Sequence, residues 1–132
     1  MFRRKTLPAD LAPAHAAFAA QVDRVESARR ALLACLPVGR VDPAPVPVGL
    51  DLLRDELAAV AADMATWRFE TLDEVWTRCR TAVEESLGAI DRAHAVATGT
   101  RELEALLGAV TDVVDPLDVW ADAERAWRRL RA

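Results

Sequence analysis

The chain has 132 residues, of which 52% are hydrophobic and 29% are charged, and its net charge is −4. This length and apolar content exclude a disordered chain and allow one sizeable core, and the negative balance excludes an overall basic surface for nucleic acid. No apolar run approaches the roughly 18 residues of a membrane span. We predict one helical domain over 1–132 with a flexible basic tip at 1–7.

Residue usage favours helices and a cytoplasmic setting. Ala occurs 27 times, Arg outnumbers Lys by 16 to one and Tyr is absent, a skew typical of GC-rich bacterial genomes that also supplies strong helix formers. Cys35 and Cys79 form neither a disulfide framework nor a CxxC motif, which indicates reduced thiols. The basic start resembles the front of a signal peptide, but Pro8 and Asp10 interrupt the stretch where its apolar centre would lie. We therefore expect a cytoplasmic protein.

Prolines mark the first helix and the connection that follows it. Pro8 and Pro13 suit the first turn of a helix, and apolar residues then recur at spacings of three and four until Pro37 stops the pattern. Residues 37–48 hold four prolines and predict an extended, stiff connection that is partly polyproline II. The predicted core-facing stripe is Leu11, His15, Phe18, Val22, Val25, Leu32, Leu33 and Leu36.

A short turn separates the second helix, predicted over about 49–67, from the third. The third helix follows a capping box in which the Thr71 hydroxyl serves the backbone N–H of Glu74 and the Glu74 carboxylate reaches back. Gly99 ends this helix, and Thr100 is placed to cap the next one.

The fourth helix carries an interruption. Pro116 lies inside an apolar pattern, and because proline removes a backbone donor we predict that the helix is kinked or split there. The stripe of its first part is Leu103, Leu106, Leu107, Val110, Val113, Val114 and Leu117.

Four amphipathic helices with two short connections predict an all-α antiparallel four-helix bundle. The connection 37–48 leaves open whether the first two helices are adjacent or diagonal. Gly88 and Gly108 lie inside helices, where glycine is unfavourable by about 1 kcal/mol, and they indicate close helix approach there.

In such a bundle all seven aromatic residues fall at one end, where the first helix begins, the second turns into the third and the fourth ends. We call this the aromatic end: Phe2, Phe18, Trp67, Phe69, Trp76, Trp120 and Trp127. The rings either fill a wide end of the core or line a groove for a partner helix or a planar ligand. Near the terminus, Trp127 is the best candidate for exposure. The residues predicted to contact a partner or ligand are Trp67, Phe69, Trp76, Trp120, Trp127, His15 and Arg128.

Arginines also collect at the aromatic end, in the first residues and in the closing stretch 125–131. An anionic surface would be attracted to them. Basic residues in a last turn also complement the helix dipole without any partner, so attachment to an anionic surface is a weaker hypothesis.

Histidines and cysteines lie on the apolar stripes. In a bundle His15 comes level with Cys79, and Cys35 comes near His94. Zinc needs four protein ligands, or three and a water, and no stripe supplies an inward carboxylate. Neither histidine has the ExxH motif of di-iron bundles, and no nucleophile motif or phosphate-binding loop occurs. We therefore predict no catalytic residue, metal ligand or cofactor.

Taken together, these patterns favour a non-catalytic interaction module that acts by self-association, as a homodimer, or by binding a protein partner through the aromatic end. The alternative is a small-ligand- or metal-binding bundle with catalytic capacity, which would need a cavity among His15, Trp67, Trp76, Cys79 and Trp127.

Overall fold

The computed structural model describes residues 6–36, 45–100 and 102–131. Helices dominate these residues, and the prediction of an all-α antiparallel four-helix bundle is confirmed. The α-helices are α1 (Ala12–Ala34), α2 (Pro45–Asp63), α3 (Asp73–Gly99), α4 (Leu103–Val114) and α5 (Val119–Arg129), with short 3₁₀ turns at Ala9–Leu11, Met64–Trp67, Glu70–Leu72 and Asp115–Asp118.

Helix α1 packs against α2, α2 against α3, and α3 against both α4 and α5, so α1 and α2 are adjacent rather than diagonal. Contacts between α1 and α2 pair Arg24 with Glu56 and Cys35 with Gly49, which is antiparallel register. The bundle closes less tightly between α1 and α4, which touch at few positions. We call the interval between α1 on one side and α4 and α5 on the other the open seam.

Helix α2 begins at Pro45, four residues before the predicted start, so residues 45–48 of the predicted connection are helical. The physical reason is that the first turn of a helix needs no N–H donors from its own residues, and the fixed φ of proline suits it. Residues 37–44 of that connection lie outside the described part of the chain. Of the predicted flexible tip, residues 1–5 also lie outside it, and Leu7 packs against the core.

The predicted capping box at Thr71 and Glu74 is wrong. A 3₁₀ turn, Glu70–Leu72, takes up Thr71, and the N-cap residue of α3 is Leu72, without a side-chain capping hydrogen bond. At the next boundary the hydroxyl of Thr100 accepts a hydrogen bond from the backbone N–H of Glu102 at 3.1 Å. The prediction that Thr100 caps α4 is nevertheless wrong, because Glu102 is the N-cap residue and α4 has no side-chain capping hydrogen bond.

The fourth helix is split where proline predicted it. The 3₁₀ turn Asp115–Asp118 contains Pro116 and separates α4 from α5. Next to the break, the fully buried hydroxyl of Ser86 donates to the carbonyl of Val113 at 2.7 Å. The Ser86 hydroxyl of α3 thus gives the Val113 carbonyl a hydrogen-bond donor in the turn where the regular backbone hydrogen bonds of α4 end.

Among the described glycines, Gly49 lies closest to a neighbouring helix. A Cβ added there would lie 2.9 Å from Cys35 Sγ and 3.3 Å from the Cα of Leu32. The prediction of close approach at Gly88 and Gly108 is wrong: a Cβ at Gly88 would meet only the Arg92 side chain at 3.8 Å, and at Gly108 nothing within 4 Å. Gly88 is half-buried, and Gly108 is exposed at the edge of the groove between α3 and α4.

Candidate functional site

At the aromatic end the described rings form one cluster with Phe18 at its centre. The Phe18 ring centroid lies 4.9 Å from that of Trp67, 5.7 Å from that of Trp127 and 6.0 Å from that of Trp120. Phe69 extends the cluster through Trp127, at 5.4 Å between centroids. The cluster therefore joins three parts of the chain: helix α1, the turn that follows α2, and helix α5. Phe2 lies outside the described residues.

Most of these rings fill the core. Trp67, Trp120 and Trp127 have 0%, 2% and 1% of their surface exposed, and Phe18 has 1%. The expectation that Trp127 is exposed is wrong, because the ring of His15 covers it at a centroid distance of 5.2 Å and Phe69 covers it from the turn. Phe69, Trp76 and His15 are half-buried, and Arg128 is exposed.

The indole N–H groups of the four tryptophans fall into two pairs. Trp67 donates to the side chain of Gln21 at 2.9 Å, and Trp76 donates to the backbone carbonyl of Met64 at 2.7 Å. Gln21 in turn donates to the carbonyl of Asp63 at 3.1 Å. The indole nitrogens of Trp120 and Trp127 are buried, and no acceptor for them lies among the described residues.

The edge of the cluster opens into a small pocket of about 180 Å³ between α1 and α5. We call it the α1–α5 pocket. It brings together three of the predicted contact residues, His15, Trp127 and Arg128, from helices far apart in the sequence. Its lining is His15, Phe18, Ala19, Glu124, Trp127, Arg128 and Arg131.

Trp76 lies on the other side of the aromatic end and outside this pocket. The guanidinium of Arg68 stacks over its ring at 4.2 Å from the centroid, an arrangement that an aromatic face stabilises by its negative charge density. Arg68 also pairs with Asp73 at 2.9 Å. The structure thus ties Trp76 and Arg68 to each other, and the predicted contact residues form two groups rather than one.

Acidic side chains already pair with several arginines of the aromatic end. Arg78 and Arg125 both lie against Asp122, and Arg80 pairs with Glu84. In contrast, Arg128 and Arg131 form no ion pair with any residue that the structure describes. Among the described residues of this end, the arginines without an ion pair are therefore Arg128, Arg129 and Arg131, in the last turn of α5 and directly after it.

The predicted histidine and cysteine pairs make other contacts. His94 Nε2 lies 2.9 Å from Asp51 Oδ1, and Cys35 Sγ donates to the carbonyl of Ala31. Cys79 is completely buried, and its burial raises the pKa of the thiol to about 12 against a smaller opposing effect of Arg78. Such a thiol stays protonated and is a poor nucleophile at neutral pH. Within 6–36, 45–100 and 102–131, no three His, Cys, Asp or Glu side chains group as metal ligands.

Sequence reasoning missed a second surface feature, on the open seam. Leu33, Leu103 and Leu107, all predicted to face the core, are 41%, 38% and 40% exposed. We call them the leucine group. Their spacing matches that of residues in a core stripe. The sequence signal that could have identified them is their position at the edge, rather than the centre, of the apolar stripe of each helix.

None of the helices described here is both long enough and apolar enough to cross a membrane. No protein-family model, curated protein or solved structure matches the chain.

Proposed function

We propose that this chain is a non-catalytic helical interaction module that acts by self-association, with a second copy of the chain packed on the leucine group. The observation that carries the proposal is the exposure of three leucines along one interval of the bundle. Exposed apolar side chains that adjoin one another mark interaction surfaces, whereas isolated ones are ordinary.

Neighbouring contacts place the three leucines on the same seam. Arg29 reaches across from α1 to Asp118 at 2.8 Å, and Leu33 follows Arg29 by one helical turn on the same face of α1. On α4, Ala105 and Ala109 face α3, so Leu103 and Leu107, one turn apart, lie on the opposite flank. That flank is the one that faces α1.

The geometry of the leucine group suits a contact between two copies. A twofold axis parallel to the helices would set the leucine group of each copy against that of the other. Such an isologous contact buries the leucines of both copies at its centre.

Sedimentation equilibrium of the purified chain tests the proposal. We expect a dimer with a dissociation constant in the micromolar range, about 1–10 µM. Leu107→Glu should give a monomer, because it puts a charge at the centre of the contact. Leu52→Glu is the matched control: Leu52 is 47% exposed but lies on α2, away from the open seam, and this variant should remain dimeric.

A leucine on the facing helix provides the second arm of the same experiment. Leu33→Glu should also give a monomer, because Leu33 and Leu107 belong to the same contact and each variant puts a charge into it. A wild-type chain that is monomeric at about 100 µM contradicts the proposal, as does a dimer that Leu107→Glu leaves intact.

The aromatic end is the second candidate surface, for a protein partner. Half-buried Phe69 and Trp76 support it, since aromatic residues at a partly open surface are typical binding hot spots. The setting we propose is the bacterial cytoplasm, supported by the residue usage and by the reduced state inferred for both thiols.

A further inference from the structure

A second apolar surface lies between α1 and α2, whereas the leucine group lies between α1 and α4. A groove of about 310 Å³ opens there, at the lower end of the range for binding sites. We call it the α1–α2 groove. Its lining is Asp23, Arg24, Ser27, Ala28, Leu52 and Glu56. The contact proposed for the leucine group uses none of these residues.

Exposed apolar side chains border this groove. Leu52 lines it and is 47% exposed, and Val48, one helical turn earlier on the same side of α2, is 70% exposed. These are the two highest exposed fractions among the large apolar side chains that the structure describes. The floor is the small side chain of Ala28, which leaves the space beside Leu52 open. Exposed apolar side chains that adjoin one another at a recess mark an interaction surface.

The uncompensated charge at the groove is acidic. Arg24 and Glu56 pair with each other between the two helices at 2.9 Å, so their charges cancel locally. Asp23 on α1 and Asp55 on α2 are exposed and form no ion pair with any residue that the structure describes. Asp55 follows Leu52 by three residues and lies beside it on the helix surface. One unpaired carboxylate therefore flanks the apolar strip on the α1 side and one on the α2 side.

The shape and charge of the groove decide what kind of partner fits it. Two helices that lie side by side leave a long interval, into which a third helix packs with apolar residues at spacings of three and four. An extended peptide would instead need an exposed sheet edge, and the described part of the chain has no strand. The unpaired carboxylates repel anionic membranes and nucleic acid and attract a cationic partner.

We propose that the α1–α2 groove binds an amphipathic helix of a partner protein, with basic residues on both flanks of its apolar stripe. The stripe covers Val48 and Leu52, while the basic flanks meet Asp23 on one side and Asp55 on the other. Helix α4 of a second copy, which exposes two leucines, is a poor match because Leu103–Val114 contains no Lys or Arg. This binding does not depend on the leucine dimer.

Titration of the complete ¹⁵N-labelled chain with a designed peptide tests the proposal. The probe is a peptide of about 18 residues, long enough to form a helix, with leucines at spacings of three and four and lysines on both flanks. The matched control peptide has Glu in place of every Lys. The Leu/Lys peptide should bind saturably with a dissociation constant of about 10–100 µM and shift the backbone signals of Ser27 and Leu52. The Leu/Glu peptide should bind at least about tenfold more weakly.

Variants of exposed residues identify the groove. Leu52→Ser should weaken binding of the Leu/Lys peptide about tenfold, because an apolar contact is lost. Asp23→Asn and Asp55→Asn should each weaken it about threefold. Asp112→Asn removes the same charge from the groove between α3 and α4, and Leu33→Ser removes an exposed leucine from the open seam. Neither of these two controls should change the affinity.

The proposal is overturned if binding does not saturate at about 1 mM peptide, or if the Leu/Glu peptide binds equally well. It is also overturned if Asp112→Asn has the same effect as Asp23→Asn, since the peptide would then respond only to the overall charge. Dissociation of the dimer by Leu52→Glu in sedimentation equilibrium would make the groove a contact between copies and would overturn it too. A wild-type chain that is monomeric contradicts the leucine dimer alone and leaves the peptide result unaffected.

Discussion

Burial of a single thiol gives the chain an unusual response to alkaline pH. In the folded state the pKa of Cys79 is raised from 9.0 to about 12, mainly because the charged form would be desolvated. Below pH 9 both the folded and the unfolded chain keep this proton. Between about pH 9 and pH 12 the unfolded chain loses it while the folded chain retains it, so the free energy of unfolding falls as pH rises.

We therefore expect urea unfolding to show a loss of stability above pH 9 that approaches ~1.4 kcal/mol per pH unit. Few other groups titrate in this range, because the chain has no Tyr and a single Lys. Cys79→Val should flatten the dependence, whereas Cys35→Ala should leave most of it. An equal slope in wild type and Cys79→Val would show that the folded thiol titrates normally.

At the level of elements, two helical glycines differ in the space around them and should respond oppositely to substitution by alanine. Gly49 lies where α2 approaches α1, and an added Cβ would crowd Cys35 Sγ at 2.9 Å and the backbone of Leu32 at 3.3 Å. Gly108 has open space beside it. The same substitution to alanine therefore tests packing at the first position and helix propensity at the second.

Gly49→Ala should lower the free energy of unfolding by about 1–3 kcal/mol, because overpacking outweighs the gain in helix propensity. Gly108→Ala should raise it by up to about 1 kcal/mol. Urea titration of both variants beside wild type measures the two effects, and Gly88→Ala, whose Cβ would meet only a flexible arginine at 3.8 Å, is a second propensity control. A stable Gly49→Ala variant would mean that α1 and α2 shift apart easily.

Helix existence and order were predictable from the sequence because apolar periodicity and proline act locally. The split at Pro116 follows from the backbone N–H donor that proline lacks. The early start of α2 at Pro45 follows from the tolerance of the first helical turn for proline, and the same rule would have predicted it. Whether Leu33 or Leu107 is covered depends instead on the distance between α1 and α4. No local pattern encodes that distance, so both leucines were assigned to the core.

At the scale of the whole molecule, ring placement was predictable while ring exposure was not. An antiparallel topology alone brings Phe18, Trp67 and Trp127 to one end, as found. The exposure of each ring depends on which neighbour covers it. Trp127 is covered by His15, which lies on a helix more than 90 residues away in the sequence. The aromatic end is consequently a cluster that holds three parts of the chain together, with its openings at the edge.

Tryptophan fluorescence tests this arrangement of the complete bundle. Trp67, Trp120 and Trp127 are at most 2% exposed, and only Trp76 of the four is half-buried. We expect blue-shifted emission in which acrylamide quenches one component and leaves the larger part protected, because a quencher must touch the ring. Trp76→Phe should remove the quenched component, and Trp120→Phe should not. If two or more components are readily quenched, the rings line an open groove and the aromatic end is a contact surface rather than core.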